Sequence, residues 1–144
     1  MRLPRSLLAA LTLIPAGCNS STSKLSPDTE QRFAAEGVTR RADDLTFRYT
    51  HDAGSRSSGW EDRRASIVVT RQSVLIHKND KVGLELSPRT RKYVDVARVG
   101  GRIRIHTGSG KSQEVWSFEP PSDAPGWADD IRAVAKASRS SANR

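Results

Sequence analysis

The 144-residue chain has one cysteine, and aromatic residues make up only 6% of it. A single cysteine excludes a disulfide within the chain, and it excludes a zinc site built from several thiolates. Few aromatic residues mean that few large side chains can anchor a core, although hydrophobic residues still account for 35% of the chain. This composition favours one domain with a modest hydrophobic core.

The N-terminal apolar run, residues 7–14, is too short to cross a bilayer as a helix. Arg2 and Arg5 precede this run, and the small residues Ala16 and Gly17 follow it. A short positive segment, an apolar stretch and small residues in this order are typical of an export signal. We therefore expect residues 1–17 to be a signal peptide that is removed from the mature protein.

The end of this segment, Pro15-Ala-Gly-Cys18, resembles the lipobox of bacterial lipoproteins. The resemblance implies that Cys18 is acylated and anchors the protein in the membrane, so that no free thiol remains for a nucleophile. Pro15 stands where the lipobox usually has leucine, which could make processing inefficient. The alternatives are an ordinary secretory peptide with a chance cysteine and a buried N-terminal helix. Asn19 is not the aspartate that retains such proteins at the inner membrane, so the resemblance favours a periplasm-facing protein of the outer membrane.

Positive charge exceeds negative charge, with 24 Lys and Arg residues against 16 Asp and Glu. Removal of Arg2 and Arg5 with the signal leaves 22 against 16, a net charge of +6 for the mature chain. An exported chain meets anionic lipids and acidic polymers of the envelope, so we expect these as partners instead of nucleic acid. A merely solvated surface would have the same charge.

The mature chain begins with a small, polar stretch that cannot bury enough apolar surface to become ordered. We expect residues 18–40 to hold the acylated cysteine, a flexible tether through Ser26 and a short helix. Pro27 suits the first turn of that helix, which should run to about Glu36 and be closed by Gly37. The domain proper should span residues 41–138, with a disordered tail over 139–144.

Alternating apolar and polar residues then predict seven strands with no helix between them. Gly100 and Gly101 form the strongest hairpin signal. Trp127 and Ile131 mark one apolar face of a C-terminal amphipathic helix that Asp123 can cap. The predicted fold is mainly β, a bent antiparallel sheet or partly open barrel capped by this helix. The strands are expected at residues 45–50, 64–70 with a start as early as Trp60, 73–78, 82–86, 93–99, 102–107 and 113–118.

This order of elements resembles the pleckstrin-homology superfold over about residues 43–138, and the segment Trp127-Ala-Asp-Asp-Ile131 is similar to the helix of that family. In that fold the tryptophan packs into the barrel. The phosphoinositide-binding members carry a basic motif across the first hairpin, and Arg48 could match its first position. Arg63-Arg64-Ala65 breaks its second half, and we carry no ligand over from the family.

Five basic residues are the candidate site for an acidic ligand. Arg102 and Arg104 lie on one face of the sixth strand, and three more basic residues precede the fifth strand: Arg89, Arg91 and Lys92. Together they could form a cationic patch, although an ordinary solvated sheet face would look the same. We therefore expect a non-catalytic module that binds a protein partner or an anionic polymer of the envelope.

No motif in the chain predicts catalysis, a metal or a cofactor. The segment Gly108-Ser-Gly-Lys-Ser112 ends like a phosphate-binding loop, but a strand follows it where the motif requires a helix, which favours a simple turn. His51, His77 and His106 are far apart and are expected at the surface or at strand ends. The adjacent Asp129 and Asp130 are explained by the helix dipole. The alternative is an envelope enzyme whose site is assembled from dispersed residues.

Overall fold

A computed structural model describes residues 21–54, 59–90, 93–109 and 111–142. In these ranges seven antiparallel strands form one sheet that curls into a half barrel, with a helix before it and another after it. The elements are α1 (Pro27–Glu36), β1 (Val38–Ala53), β2 (Glu61–Thr70), β3 (Val74–Lys78), β4 (Lys81–Leu86), β5 (Tyr93–Val99), β6 (Arg102–Ser109), β7 (Ser112–Phe118) and α2 (Ala124–Ala142). The predicted fold class, a bent antiparallel sheet with one C-terminal helix, is confirmed.

The strand order across the sheet is β4-β3-β2-β1-β7-β6-β5. Every neighbouring pair is joined by a hairpin except β1 and β7, which meet through the register Arg48 to Ser117 and Ala53 to Ser112. This pairing makes β1 the central strand and joins the first four strands to the last three. Asn79 and Gly100 adopt the positive φ angles, 51° and 60°, that their tight turns require.

β1 begins at Val38, seven residues before the predicted start at Leu45. Its pairing with β2 shifts register between Ala42 and Leu45, and Asp44 has a φ of 55°. Such a bulge adds unpaired residues to one strand and interrupts the alternation of faces. In the first part of β1, apolar and polar residues therefore do not alternate along the sequence, although Ala42 is buried in the core.

The core lies inside the half barrel, where aromatic rings of β1 and β7 pack against α2. Phe47 and Phe118 have ring centroids 5.0 Å apart, and Trp127 meets Phe118 edge to face at 5.9 Å. Trp127 is 3% exposed, and Ile131 follows it on the buried face of α2. The predicted packing of this helix through Trp127 is therefore present.

An ion-pair network joins α2 to β1. The alternation of apolar and polar residues along the sequence does not predict it. Arg40 lies 2.9 Å from Asp123 and 2.7 Å from Asp130, so it joins the start of the helix to its second turn. Asp123 also accepts a hydrogen bond from the backbone of Gly126 at 3.2 Å, which confirms the predicted cap. Asp130 is therefore an ion-pair partner as well as an acidic residue near the helix start.

The C-terminal helix is longer than predicted, because it continues through Ala142. The guanidinium of Arg139 lies 5.2 Å from the ring centre of Tyr93, which places residue 139 against β5. The expected disordered tail is therefore wrong for residues 139–142. Residues 143 and 144 lie outside the described residues.

The helix α1 has the bounds that its sequence predicts, with Ser26 accepting a hydrogen bond from the backbone of Thr29. Phe33 is 1% exposed and packs with Val68 and Leu75 in a second apolar cluster, which also contacts Leu25. These residues lie on the outer face of the sheet, because the intervening residues of β2 and β3 belong to the main core. Phe33 thus packs α1 on the sheet, and ion pairs from Glu30 to Arg41 and from Arg32 to Glu85 join the helix to β1 and β4.

The stretch just before α1 differs from the prediction. Thr22 is 1% exposed, and its backbone N–H donates to a carboxylate oxygen of Asp44 at 2.9 Å. Its carbonyl accepts from the backbone of Asn79 at 2.8 Å, and the N–H of Ser26 donates to Asp80 at 2.7 Å. A flexible tether is therefore the wrong description of residues 22–26, which belong to the domain. Cys18 and the predicted signal lie outside the described residues.

Candidate functional site

The basic residues predicted to form one patch lie in two places. Arg102 and Arg104 are on β6, on the face that points away from the core. Arg89 instead lines a cavity of about 630 Å³ beside α1 and β4, where Arg32 and Glu85 already form an ion pair. Arg91 and Lys92 lie outside the described residues. Arg89 therefore does not lie beside Arg102 and Arg104. The prediction of a single cationic patch is wrong for this residue.

The register of the central strands brings a third arginine to Arg102 and Arg104. Arg48 of β1 is paired with Ser117 of β7, and Ser117 is paired in turn with Arg104 of β6. Arg102 reaches the same serine, donating from Nε to its hydroxyl and from Nη2 to its carbonyl, each at 3.2 Å. Three guanidinium-bearing side chains therefore lie around Ser117, one from β1 and two from β6, the strands on either side of β7.

Trp60 lies between two of these arginines. The guanidinium of Arg48 is 5.4 Å from the indole ring centre, and that of Arg104 is 5.8 Å away. These distances are typical of cation–π contacts. Trp60 remains 46% exposed, so one aromatic surface is presented to solvent. We call Arg48, Arg102, Arg104 and Trp60 the arginine cluster, and with Val99 and Ser117 its members line a cavity of about 140 Å³.

An acidic residue, Asp62 of β2, is paired with Arg48 of β1 beside the arginine cluster. Among the ion pairs within the described ranges, none involves Arg48, Arg102 or Arg104. Neighbouring positive charges repel one another, and an anion placed between them would offset that cost. Each guanidinium also presents a planar fork of N–H donors that matches carboxylate or phosphate oxygens. The cluster is therefore suited to bind an anionic group.

Two members of the arginine cluster were not predicted as site residues. Arg48 alternates with the buried Phe47 and Tyr49, so its outward direction could be read from β1 alone. Its proximity to Arg104 depends on the pairing of β1 with β7, which are more than sixty residues apart at this register. Trp60 directly precedes β2, and the pairing of Asp62 with Arg48 in the adjacent strands brings it beside the cluster.

The three histidines occupy separate environments. His77 is 1% exposed, which corrects the expectation of a surface or strand-end side chain. Its Nδ1 lies 2.9 Å from the carbonyl oxygen of Asn79, and burial lowers the pKa of the imidazole below its usual value. His106 Nε2 contacts Gln113 at 3.1 Å. In the part of the chain that the structure describes, no group of three acidic, histidine or cysteine residues could hold a metal ion.

His51 makes the contact that is closest to a catalytic arrangement. Its Nε2 lies 2.9 Å from the hydroxyl oxygen of Ser112 across the pairing of β1 with β7. A serine nucleophile needs such a base, together with a group that orients the base and donors for the oxyanion. A hydroxyl and an imidazole facing each other across a sheet are equally typical of structural pairing.

The remaining motif residues have structural roles. The segment from Gly108 to Ser112 contains the turn between β6 and β7, with Ser109 paired to Ser112, and a strand follows it. This confirms the hairpin interpretation over a phosphate-binding loop. Asp129 pairs with Arg132 at 3.1 Å on the surface of α2.

The helices in the described ranges include none that is long and apolar enough to cross a membrane. No protein-family model matches the chain, and a search of curated proteins finds no match.

Proposed function

We propose that the protein is a lipid-anchored, non-catalytic binding module of the bacterial envelope that holds an acidic envelope component through the arginine cluster. In this proposal, residues 1–17 direct export and Cys18 carries the acyl chains. The domain faces the periplasm, with the outer membrane favoured over the inner membrane. The resemblance to the pleckstrin-homology superfold supports a binding role only in general terms, because one fold serves many functions.

The observation that carries this proposal is the grouping of three arginines around Ser117, none of which takes part in an ion pair within the described ranges. Arg102 is held by two hydrogen bonds to that serine, while Arg48 and Arg104 are placed by the strands on either side. Donors positioned in advance lose less conformational entropy on binding than free side chains. The small cavity suits a single phosphate or carboxylate group of a larger molecule, with the exposed indole beside it.

The test compares two triple variants of the mature chain from residue 18, each with Cys18→Ser for solubility. One carries Arg48→Ala, Arg102→Ala and Arg104→Ala. The matched control carries Arg71→Ala, Arg98→Ala and Lys136→Ala, which removes the same net charge from exposed positions elsewhere. Each protein is immobilised and incubated with envelope extract at low and high salt, and the retained phosphate-bearing polymer and protein are measured.

The first variant should lose at least about tenfold in retained acidic polymer, because each lost charge-assisted hydrogen bond costs roughly a factor of ten. The control should lose much less, since exposed charges are screened over about 8 Å at physiological salt. Equal losses in both variants would show that net charge alone drives association. Protein partners retained equally by all variants at both salt concentrations would favour a neutral protein-binding surface instead.

A further inference from the structure

The structure leaves little chain between the predicted acylation site and the folded domain. Only three residues separate Cys18 from Thr22, where the docked segment begins. An extended chain spans at most about 3.6 Å per residue, so the four steps from Cys18 to Thr22 reach at most ~14 Å. A domain of this size has a radius of gyration of ~14 Å and a diameter of ~35 Å. The tether is therefore shorter than the domain is wide.

The docking of Thr22 is well supported by buried polar contacts. Its hydroxyl lies 3.0 Å from the Asp44 carboxylate and 2.7 Å from the hydroxyl of Ser66. The backbone contacts to Asp44 and Asn79 add two more hydrogen bonds. If the segment were released, Asp44, Ser66 and Asn79 would lose these hydrogen bonds. A buried polar group without a hydrogen-bond partner lowers the stability of the folded state. The point where the chain leaves the domain is thus fixed beside the bulge of β1 and the turn between β3 and β4.

Basic and apolar side chains lie around this exit point, beside the carboxylates of Asp44 and Asp80 that accept hydrogen bonds from the segment. Lys78 and Lys81 flank the turn residues that hold the segment, and Val82 next to them is 58% exposed. On the other side, Arg64 donates to the carbonyl oxygen of Asp44 at 3.3 Å. We call Arg64, Lys78, Lys81 and Val82 the hairpin surface. Within the described ranges, none of its three basic residues takes part in an ion pair.

We infer that the hairpin surface rests on the headgroups of the leaflet that holds the acyl chains of Cys18. This inference depends on the proposed acylation. With a tether of at most ~14 Å, the far end of the domain cannot turn toward the bilayer that anchors it. The near end can, and it presents lysine and arginine side chains to anionic headgroups, each worth about 1 kcal/mol near such a surface. The short tether thus sets the orientation of the domain on the membrane.

The test uses the acylated full-length protein in vesicles of phosphatidylcholine and phosphatidylglycerol that contain brominated lipid. An environment-sensitive fluorophore is attached through Val82→Cys, and in a control protein through Arg98→Cys. Both positions are exposed, so the substitutions should not disturb folding. Arg98 lies on β5, which is the edge strand on the other side of the sheet from β4, the strand that carries Val82. Mass spectrometry of the N-terminal peptide first establishes that Cys18 is acylated.

Quenching should be several-fold stronger at position 82 than at position 98. Inserting about twenty Gly and Ser residues after Ser20 gives the tether a reach of roughly 25 Å, which should abolish most of this difference. Equal quenching at the two positions would overturn the inference while leaving the anchor in place, and so would a difference that survives the insertion. A peptide without acyl chains would refute the proposed anchor, and the inference with it.

Discussion

The replacement of Trp127 by alanine tests whether α2 is needed to close the half barrel. The indole is 3% exposed, meets Phe118 at a centroid distance of 5.9 Å and lies 6.0 Å from the guanidinium of Arg40. Truncation of a buried aromatic residue typically costs about 3–5 kcal/mol. This is a large part of the 5–15 kcal/mol that usually separates a folded domain from its unfolded state.

The assay is urea unfolding followed by far-ultraviolet circular dichroism, which does not depend on tryptophan fluorescence. With a loss of about 4 kcal/mol and an m value of about 1.5 kcal/mol per molar urea, the midpoint should fall by roughly 2.7 M. Trp60→Ala is a matched control, because this indole is 46% exposed and its cation–π contacts are worth about 1 kcal/mol at most. A midpoint shift for Trp127→Ala that is no larger than that of the control would refute the packing argument.

Two further predictions concern the N-terminal docking and pH. Because burial lowers the pKa of His77, the unfolded chain binds more protons as pH falls through about 6.5, and stability should decrease in that range. His77→Gln should flatten this part of a plot of melting temperature against pH. Asp44→Gly keeps the positive φ but removes the acceptor of the docked segment, so trypsin should cleave after Lys24 faster than in the unmodified protein.

The controls for these two experiments come from neighbouring residues of the same type. His106→Gln is the matched control, because it removes an imidazole that contacts Gln113 on the outward side of β6; an equal flattening by both histidine variants would exclude His77 as the cause. Asp43→Gly changes an adjacent aspartate that makes no hydrogen bond to Thr22. Cleavage that accelerates equally in both aspartate variants would show general loosening of β1 instead of release of the segment.

Local patterns in the sequence were sufficient to predict most of the fold. Two-residue alternation identified all seven strands, and β5 has the predicted bounds of Tyr93–Val99. Tight turns at Asn79 and Gly100 were readable because few residue types adopt positive φ. Patterns of this kind failed where alternation is interrupted, as at the bulge beside Asp44. They also failed at Thr22, whose burial comes from partners 22 and 44 residues away in the chain.

The candidate site was predictable only in part, for a related reason. Arg102 and Arg104 share a face within one strand, and a single strand is enough to show this. Grouping them with Arg89 assumed that a loop close in sequence is close in space, whereas Arg89 lines a cavity beside α1. The addition of Arg48 required the register between β1 and β7, which no short segment of the sequence specifies.

The two basic surfaces adjoin on the outward face of the sheet, because Arg64 is paired with Thr46 and Arg48 lies two residues further along the same face of β1. The rest of the hairpin surface lies on β3 and β4, whereas the rest of the arginine cluster lies beyond β7 on β6 and beside it at Trp60. A bilayer that contacts the hairpin surface would therefore lie next to the arginine cluster. In the proposed module, an acidic ligand held by the three arginines would then lie beside the membrane.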